Sequence, residues 1–152
     1  NLPNALSVQL YPSLCFFEGT QINAGRGTDI PFQCYGAPAL LKGDYSYTPQ
    51  SNSGSKYPKH KGKVCTGYNL SDLDWKRLYD NPGINLTYLL EAHTYYAEPD
   101  AFFLESGFFD LLAGTDQLRK QIEAGWTAAQ IRESWQEDLN AFRKVRKKYL
   151  IY

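Results

Sequence analysis

The sequence predicts an α+β fold: a small, mainly antiparallel sheet from the N-terminal half, packed against helices from the C-terminal half. Three observations predict it. The strand-like stretches Ile30–Tyr35, Tyr45–Pro49 and Val64–Leu70 all fall in the first half, separated by glycine, proline and polar turns. The clearest helix signals, with caps, glycine stops and apolar residues three or four apart, all fall in the second half. The length of 152 residues, 43% apolar and 21% charged, fits one domain whose core does not depend on disulfides.

Taken in order, residues 1–10 read as the end of a linker that becomes extended at Ser7–Leu10, because Pro3 and Pro12 bracket it. Pro12 then opens one short helical turn through Phe17, and Gly19 ends it. Ile30–Tyr35 alternates as a strand with Phe32 and Cys34 on one face, and Gly36-Ala37-Pro38 stops it. Tyr45–Pro49 is edge-like because of Pro49. Gln50–Ser55 is a polar loop. Lys56–Lys63 carries four lysines and one histidine in eight residues; it is either a solvated loop or a rim facing an anionic ligand or a partner domain. After the third strand, Ser71–Asp74 forms a capping box for a short helix through Tyr79, which Asn81-Pro82-Gly83 ends.

Ile84–Ala97 reads as a strong helix through Leu86, Leu89, Leu90, His93 and Ala97, with His93 as a hydrogen-bonded core histidine. Glu98-Pro99-Asp100 terminates it, and Ala101–Leu104 is a short strand or turn. Phe108–Ala113 is a brief helix before Gly114. Thr115 caps Asp116–Ala124, and Gly125 stops that helix. Thr127 and Gln130 form a capping box that opens a long helix, with Ile131, Trp135, Leu139, Phe142 and Tyr149 as one apolar stripe. The basic run Arg143–Lys148 complements the negative end of its dipole. Leu150-Ile151-Tyr152 is read as a final strand.

Composition excludes several classes. Formal net charge is zero, which argues against a nucleic-acid partner. No apolar run approaches 18 residues, so no membrane span is expected. The three cysteines, Cys15, Cys34 and Cys65, leave open one bridge plus a free thiol or three buried thiols. There is no CxxC pair, and His60 and His93 lie far apart, so no zinc or other metal site is expected. Methionine is absent even at position 1, which reads as a piece of a longer protein. Twelve tyrosines suit an aromatic core or sugar-stacking surfaces.

The chemistry concentrates in Tyr11–Pro38. Glu18-Gly19-Thr20 and Gly25-Arg26-Gly27-Thr28-Asp29 bring two carboxylates, an arginine, two hydroxyls and three glycines into twelve residues. Glycine lets backbone N–H groups approach a ligand. The Arg26 fork matches carboxylates, phosphates or vicinal sugar oxygens. The spacing fits neither a phosphate-binding P-loop nor a dinucleotide fingerprint, so no cofactor is expected. Two readings stay open on residue types alone: a loop for an anionic or polyhydroxylated ligand, or a structural turn with Arg26 paired to Glu18 or Asp29.

The run Tyr11–Thr20, then Gly25–Asp29, Pro31-Phe32 and Gly36-Ala37-Pro38, resembles the C-terminal domain of the NamZ-type exo-β-N-acetylmuramidases. Lys61–Gly67, Phe109–Thr115 and the ending Trp135…Phe142…Tyr149–Tyr152 are similar to later blocks of that family, so the resemblance covers nearly the whole chain. It departs at Asn23-Ala24, where the family commonly has Ser-Val. The resemblance implies that residues 1–152 form one substrate-cleft domain, with a Rossmann-like domain carrying the main catalytic glutamate outside this chain. It implies a periplasmic or secreted enzyme that releases N-acetylmuramic acid from the non-reducing ends of peptidoglycan fragments. Its partners would be those saccharides and the N-terminal domain.

Glycoside hydrolysis uses a pair of carboxylates, and Glu18 is the candidate for one of them. A carboxylate beside an arginine favours its charged form, which suits orientation of Arg26 or a sugar hydroxyl better than proton donation. Thr20, Gly25, Arg26, Gly27 and Thr28 are the candidate substrate-binding residues. The alternative is a non-catalytic carbohydrate-binding or domain-docking module, with tyrosines such as Tyr45, Tyr47 and Tyr57 stacking on sugars.

Overall fold

The computed structural model describes residues 2–151. The chain opens with helix α1, Ala5–Leu14, where an extended stretch was expected. Asn4 Oδ1 accepts from the Ser7 backbone N–H at 2.9 Å and Ser7 Oγ accepts from the Asn4 N–H at 3.3 Å, a reciprocal cap. Leu6, Leu10 and Leu14, four residues apart, bury one face. Cap and stripe together outweigh Pro12, which lies inside the helix at an exposed position. A 3₁₀ turn, Cys15–Gly19, follows directly and buries Phe16 and Phe17.

The sheet has three strands: β1 Cys34–Ala37, β2 Tyr45–Tyr47 and β3 Cys65–Asn69. Their order is β1-β3-β2 and both pairings are antiparallel, with Gly36 and Tyr45 flanking Gly67. The expected strand at Ile30–Tyr35 begins only at Cys34. Phe32 takes a left-handed backbone, φ 57°, in the preceding turn. Phe32 and Cys34 therefore do not share a face: Phe32 enters the main core, and Cys34 packs with Tyr47 and Cys65 in a second cluster.

Helix α2, Trp75–Asp80, is capped by Asp74, which accepts from Lys76 N at 3.0 Å, rather than by Ser71. Helix α3 is Thr87–Thr94, shorter than expected, because Asn85 Oδ1 takes the Thr87 N–H at 3.0 Å and so caps the helix there. The Asn85 N–H donates to Ser13 Oγ at 2.8 Å and ties α3 to α1. His93 packs edge-on against Phe102, 5.1 Å between centroids, and burial lowers its pKa. Ala101–Leu104 holds the end of a 3₁₀ turn, Pro99–Ala101, and an isolated bridge from Phe103 to Thr20.

Helices α4, Phe108–Ala113, α5, Gln117–Glu123, and α6, Ala128–Ser134, lie where the caps and glycines place them. Thr115 Oγ1 accepts from Gln117 N at 3.2 Å, and Gly114 and Gly125 are left-handed, φ 73° and 74°. The long final helix is broken at Trp135. Helix α7, Gln136–Arg146, continues beyond it to a 3₁₀ turn, Lys147–Tyr149. Only Ile131 of the expected stripe is fully buried; Phe142 and Tyr149 are exposed. Leu150 and Ile151 form no strand, and Tyr152 lies outside the described residues.

The main core joins Leu6, Leu10 and Leu14 of α1 to Phe17, Tyr35, Leu89, Phe102, Phe109, Leu118, Ile122 and Ile131. Phe17 stacks on Tyr35 at 4.9 Å. This packing holds the 3₁₀ turn rigidly against the sheet, so Glu18, the polar residue of that turn, is held at the surface. No helix among the described residues is long and apolar enough to cross a membrane.

Candidate functional site

Glu18 follows two buried phenylalanines and precedes buried Gly19. Arg26 projects from the loop that returns toward it. Arg26 Nη1 donates to Glu18 Oε1 at 2.8 Å, and both side chains are partly exposed, 37% and 23%. The pair lies in the wall of a cavity of about 410 Å³, also lined by Asn23, Tyr57, Lys59 and Phe108. Arg26 also borders a second cavity of about 270 Å³ formed with Gly27–Asp29 and Asn52–Ser55. The ion pair occupies Nη1 alone. The rest of the guanidinium fork has no partner among the described residues and is available to an oxyanion.

The loop between them is set by backbone geometry. Gly25 and Gly27 are left-handed, φ 74° and 86°. A Cβ on Gly25 would lie 2.8 Å from the Ile30 carbonyl oxygen, and one on Gly27 would lie 2.7 Å from that of Gln50. Thr28 Oγ1 donates to the Gly25 carbonyl at 2.7 Å and accepts from Ile30 N at 3.1 Å. Thr20 is fully buried: its Oγ1 donates to the Phe17 carbonyl at 3.1 Å and accepts from Ile22 N at 3.1 Å. Both threonine hydroxyls thus hold the loop in shape, while Glu18 and Arg26 face the cavity.

Three further residues, in roles that the sequence does not reveal, complete the frame. Asn23 is buried, and its Nδ2 donates to the Arg26 carbonyl at 3.1 Å and the Lys59 carbonyl at 2.8 Å. Tyr47, expected to stack on sugars, is instead buried, with its hydroxyl donating to the Asn23 carbonyl at 3.0 Å. Lys59, in the basic run, turns inward. Its Nζ donates to the carbonyls of Phe17 at 3.1 Å, Ile22 at 3.0 Å and Thr20. Burial pulls its pKa down to about 8, a drop that the nearby Glu18 carboxylate partly opposes. His60, left-handed at φ 59°, places Nε2 2.6 Å from the Gln21 carbonyl oxygen. The only clue in the sequence was the density of cations in Lys56–Lys63, which does not tell an inward lysine from an outward one.

On the cavity rim Tyr57 is 78% exposed and Phe108 40% exposed. An acidic and a basic group beside two exposed aromatic rings suit a ligand that has both a flat apolar face and a negative charge. Among the described residues no group of three or more histidine, cysteine, aspartate or glutamate side chains is placed to hold a metal ion. All three cysteines are free, Cys34 and Cys65 buried and Cys15 half-buried.

Comparison with known proteins adds the following. The family described as exo-beta-N-acetylmuramidase NamZ, C-terminal, matches residues 9–152. The peptidoglycan beta-N-acetylmuramidase NamZ of Bacillus subtilis (strain 168) is 34% identical over 163 residues, covering 100% of this chain and 39% of its own length. A DUF1343 family protein from Bacteroides fragilis NCTC 9343, solved by crystallography, superposes with a TM-score of 0.90 at 45% identity, over 99% of this chain and 42% of that one. A second DUF1343 family protein from the same organism gives a TM-score of 0.67 at 18% identity over 95% of this chain and 41% of its own, and speaks to the fold alone. The chain thus spans about two-fifths of the length of these relatives.

Proposed function

This chain belongs to the family of NamZ exo-β-N-acetylmuramidase C-terminal domains, and from that premise we propose that it is the substrate-cleft domain of a peptidoglycan-directed glycoside hydrolase. The ligand is a saccharide that ends in N-acetylmuramic acid. This sugar is a pyranose with a lactyl carboxylate, and each part has a counterpart in the cavity. Tyr57 and Phe108 offer faces for the ring. The free edge of the Arg26 guanidinium takes the carboxylate in a charge-assisted, forked hydrogen bond. Glu18 fixes Arg26 through the 2.8 Å bond and keeps a second oxygen for a sugar hydroxyl. Gly25, Gly27, Thr20 and Thr28 are the frame that sets this geometry.

The single observation that carries the reading is the half-open Glu18–Arg26 pair on the wall of a 410 Å³ cavity. What sets this pair apart from the similarly half-exposed Arg119–Asp110 pair is the cavity that it lines. The remaining three-fifths of the relatives' length leaves room for an N-terminal domain, for which the proposed role is to supply the main catalytic carboxylate and the other wall of the cleft. Peptidoglycan lies outside the cytoplasmic membrane, so the proposal carries a periplasmic or secreted location with it. The test is Arg26→Ala in a complete enzyme bearing this domain. Loss of kcat/KM on muramic-acid substrates with an unchanged unfolding transition supports the reading; unchanged kinetics removes Arg26 from the site.

A further inference from the structure

The Lys59 side chain reaches the same cavity as Glu18 and Arg26, yet all its hydrogen bonds go to the backbone. An ammonium has three N–H donors and no acceptor. Here three carbonyls, of Phe17, Thr20 and Ile22, receive them. Phe17 and Thr20 bracket Glu18, so the lysine grips both ends of the turn that presents the carboxylate. The Lys56–Lys63 segment, the strap that carries this lysine, is tied back by two further bonds. Asn23 Nδ2 donates to the Lys59 carbonyl at 2.8 Å, and His60 Nε2 lies 2.6 Å from the Gln21 carbonyl oxygen.

The geometry points to Lys59 as a positioning residue of the cleft: through three backbone carbonyls its ammonium fixes the turn carrying Glu18, and through Glu18 it aims Arg26 at the ligand. The inference rests on the saccharide-cleft reading for what the aim is for, but the clamp itself is independent of any ligand. It accounts for a lysine at this place. A tetrahedral ammonium satisfies three converging carbonyls, whereas the planar guanidinium of an arginine cannot point its donors at all three. Lys59 does not touch the ligand through its nitrogen, because no N–H is left over.

The clamp has a pH limit. The charged or titratable groups around the ammonium are Glu18 on the 3₁₀ turn, His60 beside it on the strap and Arg26 across the cavity. Glu18 favours the charged lysine, while burial opposes it and dominates, which brings deprotonation to about pH 8. A neutral amine has two donors for three carbonyls and turns a lone pair toward one of them, so the turn loosens as the proton leaves.

Two measurements test this. The first is a ligand-free NMR titration of the chain. The amide signals of Glu18, Gly19 and Thr20 are expected to shift together with a midpoint near pH 8 in the parent and to lose that inflection in Lys59→Met. The second is calorimetric binding of N-acetylmuramic acid at pH 7. Lys59→Ala is expected to bind about tenfold more weakly, and propylammonium in solution to restore binding where propanol does not. Should Lys59→Met fail to fold, the parent titration and amine rescue still decide. Amide signals without a common inflection between pH 7 and 9.5, or equal rescue by propanol, overturn the Lys59 assignment. A parent chain that shows the inflection but binds no N-acetylmuramic acid confirms the clamp and overturns the saccharide reading, so the two failures are distinguishable.

Discussion

Replacing Asn23 by alanine tests whether the cleft is one rigid unit. The Asn23 amide is buried and donates to two carbonyls, that of Arg26 three residues on and that of Lys59 36 residues away in sequence. Alanine leaves both carbonyls without that donor. Each such loss costs about 1–3 kcal/mol, so the pair amounts to about 2–6 kcal/mol, a large part of the 5–15 kcal/mol that stabilises an ordinary domain. Tyr47 keeps the Asn23 backbone carbonyl as acceptor at 3.0 Å, so its hydroxyl adds little. Asn23→Asp keeps the shape but places a carboxylate against the same two carbonyl oxygens, and is expected to be at least as damaging. Urea unfolding followed by tyrosine and tryptophan fluorescence measures both variants. Stability within about 0.5 kcal/mol of the parent for both, the range of an ordinary surface change, would refute the reasoning that Asn23 joins the strap to the Arg26 loop.

Gly27→Ala combines a left-handed backbone with a Cβ placed 2.7 Å from the Gln50 carbonyl oxygen and the Pro58 ring. About 1–2 kcal/mol for the conformation and about 1–3 kcal/mol for the crowding predict a loss of about 2–5 kcal/mol in the same unfolding assay. Below about pH 10, where the raised pKa values of buried Tyr35 and Tyr47 do not yet matter, alkaline stability follows chiefly from Cys34, Cys65 and Lys59. Burial pushes the Cys34 thiol up to about 12 and that of Cys65 to about 11, so each favours the fold below pH 9 and loses that contribution as the pH rises from there. Lys59, lowered to about 8, acts with the opposite sign between pH 8 and its ordinary value near 10.5, because there the unfolded chain holds the proton that the folded chain has released. Between pH 9 and 10 each group acts with about 1.4 kcal/mol per pH unit at most, the half-buried Cys15 thiol acts in the same sense as the other two, and the thiols outweigh the one lysine, so the unfolding free energy falls as the pH rises and falls more steeply in Lys59→Met. A stability that rises over that interval would contradict this accounting.

The helices α4 to α6 were legible because their determinants are local: Thr115 and Thr127 cap within three residues, and Gly114 and Gly125 stop the chain where they stand. Helix α1 was not legible because Pro3 and Pro12 argue for an extended chain, whereas the Asn4–Ser7 cap and the leucines four apart outweigh them. The turn at Phe32 alternates like a strand, and only the left-handed backbone distinguishes it. The α7 stripe has the spacing of a buried face, yet Phe142 and Tyr149 find no core to enter. At the site, Glu18 and Arg26 could be read as a pair from eight residues of separation. Lys59 and Asn23 could not, because their roles depend on carbonyls up to 42 residues away, and backbone carbonyls leave no mark in a sequence.

Arg26 as the reader of a ligand carboxylate is the central claim, and calorimetry of the chain with N-acetylmuramic acid and N-acetylglucosamine tests it most directly. The two sugars differ by the lactyl ether alone. A charge-assisted hydrogen bond contributes about 1.5–3 kcal/mol, so the muramic sugar is expected to bind about ten- to a hundredfold more tightly, with the difference abolished in Arg26→Ala. Equal affinity for the two sugars, or a preference that survives in Arg26→Ala, would contradict it.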